Sequence, residues 1–377
     1  MDRAAVEPEI SIIVPVYNEA GVVDGLFRTL AEQSGVTLEL IICDGGSVDT
    51  TVTKIWGLAE DAPFPVSVIH SGKGRGRQLN AGATASRGKT LLFLHADSSF
   101  IDRHALRSSL DTLDAAVAKN GNAHLAGHFA LRFVRRCDSR SHGYYHYECK
   151  ARLHRRECTH GDQGLLLRRS FFNEAGPFDE SLPILEDTRM AEAIRQKGRW
   201  LLLPAEIHTS ARRLETEGLA ERQTLNAIIL NFAAIGREEF LLEIPAIYSC
   251  QDHCRQLQLY PFFSRFRQQI KALSWMDQLR LWYATGTYVR ANAWQLALAL
   301  DTRRNFQRGI GPGEGGTPCL EFYDRYLDRL TDHAPGRLLT AILVRLWFQF
   351  TCLASSFRDK HHKQKQAKHV PRLSANR

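Results

Sequence analysis

The sequence has 377 residues, a length at which one hydrophobic core usually gives way to two domains or to a domain with an appendage. Hydrophobic residues make up 44% of it and charged residues 24%, which excludes disorder over most of the chain. The net charge of +8 favours an anionic partner: a phosphorylated small molecule, a nucleic acid or a membrane surface. Eight cysteines in so long a chain, with no apolar segment at the N-terminus, predict a reducing, cytoplasmic setting.

The first ninety residues alternate short apolar runs with amphipathic stretches, a pattern typical of a parallel sheet with crossover helices. One crossover helix is predicted at 78–87 and is closed by Gly88. Each predicted strand ends in polar or glycine-rich residues, and ligands of such sheets bind at the carboxyl ends of the strands. The strands are predicted at 10–16, 38–43, 65–70 and 90–95.

Beyond Phe100 the pattern is no longer a simple repeat. From about Asn226 the strand signals disappear, and the rest of the chain is predicted to be mostly helical. We therefore expect an α/β domain over 1–235, an α-helical module over 236–357 and a basic, disordered tail over 358–377. Between Phe100 and Asn226, helices are predicted near 102–119 and from Glu186, and strands at 124–134, 164–169 and 199–204.

The segment 338–357 is long enough to span a bilayer, yet Arg345 and Gln349 lie near its middle. With Cys352 and Ser356 they form a narrow polar stripe on an apolar helix. Three interpretations stay open: a core helix of the helical module, an interfacial membrane helix supported by the basic tail, and a spanning helix.

Three short stretches look like known motifs but lack a required feature. ATASRGKT (83–90) has Ala83 where a P-loop needs its first glycine, and its predicted order of helix, loop and strand is reversed. GKGRGR (72–77) lacks the G-x-G-x-x-G spacing. In CQDHC (250–254) no second Cys/His pair accompanies the first at zinc-finger spacing. These stretches therefore predict neither a P-loop, nor a dinucleotide site, nor a structural zinc.

The basic stretch at the head of the third helix is a candidate anion site. Lys73, Arg75 and Arg77 would stand where helix amides also attract anions, which suits a diphosphate. A solvated basic loop is the alternative. Asp44 closes the second strand beside two glycines, where it is placed to accept hydrogen bonds from a base or a sugar.

Two acidic groups are candidates for chemistry. Asp97, at the end of the fourth strand, is placed to hold Mg²⁺ or Mn²⁺ against phosphate oxygens, with His95 as a further ligand or as its hydrogen-bonded support. Glu186 and Asp187 precede a helix, where the helix dipole favours acids even without catalysis. From the residues alone, helix capping explains the presence of Glu186 and Asp187 as well as a catalytic role does.

Taken in order, these stretches resemble a family 2 glycosyltransferase with the GT-A fold. The HAD, GDQ, ED and TS-x-RR set is most similar to the selenodomain-associated or arsenosugar-type branch of that family. Leu214 departs from the branch, which usually has Trp there, and the helical extension is longer than the branch needs. The motifs are IIVPVYNEAG, IICDGGSVDTT, GKGRGRQLNAGA, LLFLHADS, THGDQGLLLRRSFFNEAGPFDE, LPILEDTRMAEAIRQKG and TSARR, within about residues 10–235.

The resemblance implies an inverting transfer of a sugar from a nucleoside-diphosphate sugar, such as a UDP-sugar, to a hydroxyl acceptor, assisted by Mg²⁺ or Mn²⁺. It makes Asp187 the general base, with Glu186 beside it in the catalytic pair. By position, the resemblance also implies which residues bind each ligand. The nucleoside would contact Pro15, Tyr17, Glu19 and Asp44, and the diphosphate would contact Arg75 and Arg77. The metal would be bound by Asp97 and His95, and the acceptor by Asp162 and Gln163.

The predicted partners are a nucleotide-sugar donor and an unidentified acceptor, with no nucleic acid. A membrane surface remains open as a third partner, through 338–377, so the predicted location is cytoplasmic or peripheral at the inner face of the membrane. Two other functions remain open: a nucleotidyltransferase on the same core, which would release pyrophosphate, and a non-catalytic membrane-surface protein.

Overall fold

The computed structural model describes residues 7–136, 140–159, 161–181, 183–251 and 256–369, with side chains up to Asp359 in the last range. These residues form two compact units. The first holds the described residues up to Ala211 together with Gly311–Glu314, and the second holds the others from Arg212 onward. His253 and Cys254 of the CQDHC stretch lie outside the described residues.

The first unit is built on an eight-stranded mixed sheet with the order β3-β2-β1-β4-β7-β6-β8-β5. β1 pairs in parallel with β2 and β4, and β2 with β3, as the sequence predicts. β7 then runs antiparallel to both β4 and β6. The strands are β1 (Ile10–Val16), β2 (Leu38–Asp44), β3 (Val66–His70), β4 (Thr90–Phe93), β5 (Ser98–Ser99), β6 (Leu125–Val134), β7 (Leu165–Arg168) and β8 (Arg199–Ser210).

Apolar clusters cover both faces of this sheet. Ile12 and Val14 of β1 belong to one cluster, whereas Ile13 between them belongs to the other. Strands buried on both faces read as continuous apolar runs, which is why these strands are visible in the sequence. The helices of this unit are α1 (Val23–Ala31), α2 (Thr51–Glu60), α3 (Arg75–Ala85), α4 (Ala105–Asn120), α5 (His142–Lys150), α6 (Arg169–Ala175) and α7 (Glu186–Lys197).

Several element bounds differ from the prediction. α3 begins at Arg75, three residues before the predicted start, and β4 ends at Phe93 instead of residue 95. β8 continues past Pro204, where the sequence predicts an end. The register between β6 and β8 shifts at this point, and such an irregularity lets a strand tolerate a proline that has no N–H to donate.

Glu39 on β2 is buried and accepts hydrogen bonds from β1 and from the segment before β4. Its Oε1 accepts hydrogen bonds from Ser11 Oγ and from the Arg87 backbone N–H, both at 2.6 Å, and its Oε2 accepts one from Arg87 Nε at 3.0 Å. Burial raises the pKa of this carboxyl, but the hydrogen bonds from Ser11 and Arg87 outweigh it and hold the pKa below its ordinary value of 4.5.

We expect Glu39→Gln to lower the free energy of unfolding by about 1–3 kcal/mol at neutral pH, because the buried Ser11 hydroxyl and the donors of Arg87 lose a charged acceptor. Since the folded-state pKa is lowered, the wild-type advantage is complete above about pH 4.5 and is lost as the pH falls through the lower folded-state value. Urea unfolding at neutral and acid pH measures it. Glu60→Gln, at an exposed position, is the control; an equal loss in both variants would contradict the assignment.

In its described part, the second unit consists of helices and contains no strand. Phe263 packs on Phe348 with ring centroids 5.2 Å apart, and Phe232 packs on Phe266 at 5.0 Å. The helices are α8 (Arg212–Glu217), α9 (Leu219–Ala234), α10 (Ile244–Ser249), α11 (Tyr260–Ala272), α12 (Trp275–Ala291), α13 (Trp294–Gln307), α14 (Pro318–Phe322), α15 (Asp328–Thr331) and α16 (Ala334–His369), with a π-helical turn at Tyr323–Leu327.

The boundary between the units falls after Ala211, whereas the sequence predicts it after residue 235. The difference arises because α9 belongs to the helical core: Asn231 Nδ2 on α9 donates to Thr285 Oγ1 on α12 at 3.2 Å. The C-terminal end also differs, since α16 continues to His369, well into the stretch predicted to be a disordered tail.

The four residues Gly311–Glu314 are counted with the first unit although the chain reaches them from the second. Tyr145 OH donates to the Gly311 carbonyl oxygen at 3.4 Å. Gly313 packs against Arg152 so closely that an added Cβ would lie 2.5 Å from Arg152 Cδ. This short segment is therefore part of the surface of the α/β unit.

Candidate active site

The loops that follow β1 and β2 are fastened to each other by Asn18. This residue adopts a φ of 56°, in the left-handed region, which asparagine tolerates better than most residues. Its Oδ1 accepts from the Val48 N–H at 2.9 Å, and its own N–H donates to Ser47 Oγ at 2.9 Å. The Glu19 N–H donates to Thr51 Oγ1 at 2.8 Å. In the sequence Asn18 belongs to the polar cluster that follows the first strand, but no role could be predicted for it because its partners lie about 30 residues away.

Asp44 lies buried at the end of β2 and organises its own loop. Its carboxylate accepts from the Gly46 N–H at 3.1 Å and the Ser47 N–H at 3.0 Å, and His70 Nδ1 lies 3.3 Å from Oδ2. Burial raises the pKa of Asp44, but the hydrogen bonds from Ser47 and Gly46 outweigh it, so the net pKa is lowered. The predicted contact with a nucleoside stays a prediction.

Beside these loops, Lys73 and Tyr17 form a cation–π pair at the surface. Lys73 Nζ lies 4.1 Å from the centroid of the exposed Tyr17 ring. An aromatic ring and a cation at the carboxyl edge of a parallel sheet suit a nucleotide, which offers both a planar base and phosphates.

The two arginines in the first turn of α3 point to different places. Arg75 Nη1 lies 3.3 Å from Glu186 Oε1, whereas Arg77 Nε lies 3.5 Å from Glu180 Oε2. Arg75 lines the cavity described next, and Arg77 does not. Of the two arginines predicted to meet a diphosphate, the structure therefore brings only Arg75 to this cavity.

A cavity at the end of β4 gathers five of the predicted site residues, which come from four separate stretches of the sequence. Tyr17, Glu19, Asp44, Asp97, Asp162 and Gln163 are not among its lining residues. Apolar side chains, including Phe93, Phe178, Met190 and Trp200, make up much of the remaining wall. The five predicted residues that line it are Pro15, Arg75, His95, Glu186 and Asp187.

Asp187 is held in a fixed orientation at this cavity. Its Oδ2 accepts from the Gly161 N–H at 2.9 Å and its Oδ1 from the Thr188 N–H at 2.7 Å. Gly161 has no side chain for a steric reason: an added Cβ would lie 2.8 Å from Asp187 Oδ2. Just before the acidic pair, Leu185 adopts a φ of 77°, a strained conformation typical of functional sites.

Glu186 differs from its neighbour because it is buried. Burial raises its pKa, Arg75 opposes the rise, and the charge of Asp187 adds to it, leaving the pKa above its ordinary value. The two adjacent acids thus have different surroundings: Asp187 is anchored by backbone amides, and Glu186 is coupled to Arg75.

Asp162 supplies the best indication of a place for a cation. Its Oδ1 is buried and has no hydrogen-bond partner in the described part of the chain. Burial, together with the negative charges of Asp187 and Asp97, raises the pKa of Asp162 to about 6. Carboxylate oxygens are the donors that Mg²⁺ and Mn²⁺ prefer, so the donor set fits a hard cation. No three His, Cys, Asp or Glu side chains of the described ranges are assembled as ligands, however.

Two further predicted site residues, Asp97 and Gln163, have different surroundings. Asp97 lies in the turn after β4, which is closed by a hydrogen bond from the Ser98 N–H to the His95 carbonyl oxygen at 3.1 Å. Gln163 is buried, and its Nε2 donates to the Cys158 carbonyl oxygen at 2.7 Å. The Gln163 amide nitrogen thus faces the protein interior, and the predicted contact of Gln163 with an acceptor stays a prediction.

Comparison with known proteins gives these residues a context. Residues 11–172 match the family model of Glycosyl transferase family 2. An uncharacterized glycosyltransferase of Haemophilus influenzae is 36% identical over 94 residues, covering 24% of this chain and 30% of that protein. A PGL/p-HBAD biosynthesis glycosyltransferase of Mycobacterium bovis is 27% identical over 182 residues, covering 48% of this chain and 67% of that protein.

An uncharacterized glycosyltransferase of Nostoc is 32% identical over 90 residues, 24% of this chain and 28% of that protein, so the match spans less than a third of both this relative and the Haemophilus protein. Among solved structures, Staphylococcus aureus TarS 1–349 with UDP covers 84% of this chain and 91% of its own, at 15% identity and a TM-score of 0.45. A Pyrobaculum calidifontis mannosyltransferase with GDP-Man and Mn²⁺ covers 93% and 88%, at 17% identity and a TM-score of 0.43.

The family match begins in β1, includes the loops and acids at the carboxyl edge of the sheet, and ends in α6, before the Glu186–Asp187 pair. The predicted α/β core with a helical C-terminal region is confirmed by the sheet and by the helices that follow it. Residues 11–172, less than half of the chain, are thus similar to glycosyl transferase family 2.

Proposed function

We propose that this chain is an inverting glycosyltransferase that moves a sugar from a nucleoside-diphosphate sugar to a hydroxyl group of an acceptor. One observation carries the proposal: the Asp187 carboxylate is anchored by the Gly161 N–H at a cavity that Arg75 and His95 also line, next to a family 2 domain. On the shared motifs, we also place it in the selenodomain-associated or arsenosugar-type branch.

In this proposal Asp187 is the general base. The acceptor hydroxyl forms the new bond to the anomeric carbon and gives its proton to Asp187, while the bond from that carbon to the diphosphate oxygen breaks. The electron pair leaves with the nucleoside diphosphate, and a single displacement inverts the anomeric configuration. Anchoring by backbone amides supports this role, because a base contributes most when its orientation is fixed before reaction.

Arg75 and Glu186 would act on the departing group. The guanidinium of Arg75 offers positive charge at the cavity wall, and the buried Glu186 keeps it in place at 3.3 Å. Positive charge fixed near the developing diphosphate stabilises the transition state more than the substrate, which raises the rate. Tyr17, Glu19 and Asp44, at or just beyond the ends of β1 and β2, would hold the nucleoside.

Asp97 and His95 are the residues that would hold a divalent metal, with the unpartnered Oδ1 of Asp162 as a further oxygen donor. When bound, such a metal would neutralise negative charge on the leaving diphosphate. The raised pKa of Asp162 supports a cation at this place, because a positive charge would relieve the repulsion among the three carboxylates.

Product analysis tests the proposed function. The purified protein is incubated with a panel of nucleotide sugars and hydroxyl acceptors, and the release of nucleoside diphosphate is followed by chromatography. We expect nucleoside diphosphate and a glycoside of inverted configuration by NMR. Pyrophosphate released from a nucleoside triphosphate would instead show a nucleotidyltransferase, and a retained configuration would exclude the proposed role of Asp187.

Asp97→Asn is expected to abolish the part of ligand-induced stabilisation that depends on Mn²⁺, because a ligand that binds the native state raises its melting temperature. Thermal melts with a nucleoside diphosphate, with and without Mn²⁺, measure this effect apart from turnover. Asp61→Asn removes the same charge at an exposed site and serves as the control. A wild-type shift that is equal with and without Mn²⁺ would contradict the metal assignment.

A further inference from the structure

Helix α16 presents an apolar surface on the side opposite its own packing. Its buried apolar side chains, Ala341, Phe348 and Cys352, belong to the core that α16 shares with α11 and α12. On the other side, large apolar side chains recur every three or four residues, and each is more than half exposed in the described structure. They are Leu339, Leu343, Leu346, Phe350, Leu353 and Phe357.

The distribution of charged residues along α16 indicates which kind of partner its exposed apolar side would bind. Between residues 338 and 357, Arg345 is the one charged residue in the sequence. The following stretch, 358–369, contains five lysine or arginine residues and one aspartate, and the helix backbone continues through it. An apolar helix face followed by a basic run is the arrangement that binds anionic lipid headgroups.

The packing of α16 distinguishes a helix that lies on a membrane from one that crosses it. Among the described residues, α16 alone is long and apolar enough to cross a bilayer. One side of it, however, is occupied by α12: an added Cβ on Gly286 would lie 2.6 Å from Ala341 Cβ, and the rings of Trp282 and Phe348 are 5.6 Å apart. While this packing holds, only the outer face of α16 is open to lipid.

We propose that α16 docks the helical unit on an anionic membrane surface, with its outer apolar face among the headgroups and its basic extension on their charges. Arg345 is exposed, and a long arginine side chain can extend its charge to the water while its stem stays in the apolar layer. A second copy of the chain is the less suitable occupant, because the exposed face has almost no charged residues that would fix a helix pair in register.

Vesicle flotation with the full chain tests this proposal. We expect binding to vesicles of phosphatidylcholine with phosphatidylserine, and little binding to phosphatidylcholine alone. Leu346→Gln with Phe350→Gln should reduce binding about tenfold or more, since two apolar side chains are lost. Replacing Lys360, Lys363, Lys365 and Lys368 by glutamine should reduce it about fivefold for each lysine.

The matched control is Leu296→Gln with Leu300→Gln, which removes two exposed leucines at the same spacing from α13 and should leave binding unchanged. Circular dichroism melts check that each variant is folded. If the Leu346→Gln with Phe350→Gln variant is not folded, the proposal is tested with the lysine variant. Equal binding to both vesicle types would overturn the proposal. A dimer of the wild-type chain without lipid, lost in the Leu346→Gln with Phe350→Gln variant, would also overturn it. So would resistance to alkaline extraction from native membranes, which is the behaviour of a spanning helix.

Discussion

Asp187→Asn is expected to reduce glycosyl transfer by a factor on the order of 10²–10⁴, the contribution of a positioned general base. Asparagine has the same shape, and its side-chain oxygen can still accept from the Gly161 N–H, although its NH2 group then replaces the oxygen that accepts from the Thr188 N–H. The amide, however, cannot take a proton from the acceptor hydroxyl. The loss should therefore appear in kcat, with donor affinity unchanged.

The measurement combines steady-state kinetics with titration of the donor. Glu192→Gln, which neutralises another acid on α7 that pairs with Arg156, is the matched control and should keep near-normal turnover. Turnover by Asp187→Asn at the wild-type rate would exclude Asp187 as the base. A weaker donor affinity with unchanged kcat would give the residue a binding role in place of a catalytic one.

Gly161→Ala is the second change with a large expected effect. The new methyl group would lie 2.8 Å from Asp187 Oδ2 and 3.1 Å from its Cβ, so the carboxylate has to move. A displacement of about 1 Å in a catalytic group can cost on the order of 10²-fold in rate. We expect a loss of that size in kcat.

Gly57→Ala provides the comparison, because nothing lies within 4 Å of an added Cβ at that position in α2. It should leave activity unchanged and raise stability by about 0.5–1 kcal/mol, the usual gain when alanine replaces glycine inside a helix. Melting curves separate a displaced carboxylate from a misfolded protein. Full activity in folded Gly161→Ala would show that the contact with Asp187 does not position the base.

The sequence predicted the parallel strands because β1, β2 and β4 are buried on both faces and read as unbroken apolar runs. It also predicted the convergence of Arg75 and His95, since residues at the carboxyl edge of one sheet lie close together, whereas a site role for Asp187 was implied only by the family resemblance. The sequence did not predict the directions in which individual side chains point. Arg77, for example, was predicted to meet a diphosphate, but its Nε lies 3.5 Å from Glu180 Oε2.

Contacts between residues that are far apart in the sequence could not be predicted either. The hydrogen bond from Gly161 to Asp187 joins residues 26 positions apart, and neither local propensity nor spacing indicates it. The division between the units is a similar case. The apolar periodicity of α9 predicts a helix, but it does not say which of two cores that helix joins, and Asn231 resolves this only through its partner Thr285.

The segment Gly311–Glu314 limits how the chain can be divided. Because these residues pack on Tyr145 and Arg152 of the α/β unit, cutting the gene after Ala211 would uncover that surface as well as remove the helices. An isolated α/β unit would need this short peptide returned to it, either as a separate peptide or through a linker. The chain thus contributes to the α/β unit twice, once up to Ala211 and again at Gly311–Glu314, and a truncation after Ala211 cannot reproduce that unit whole.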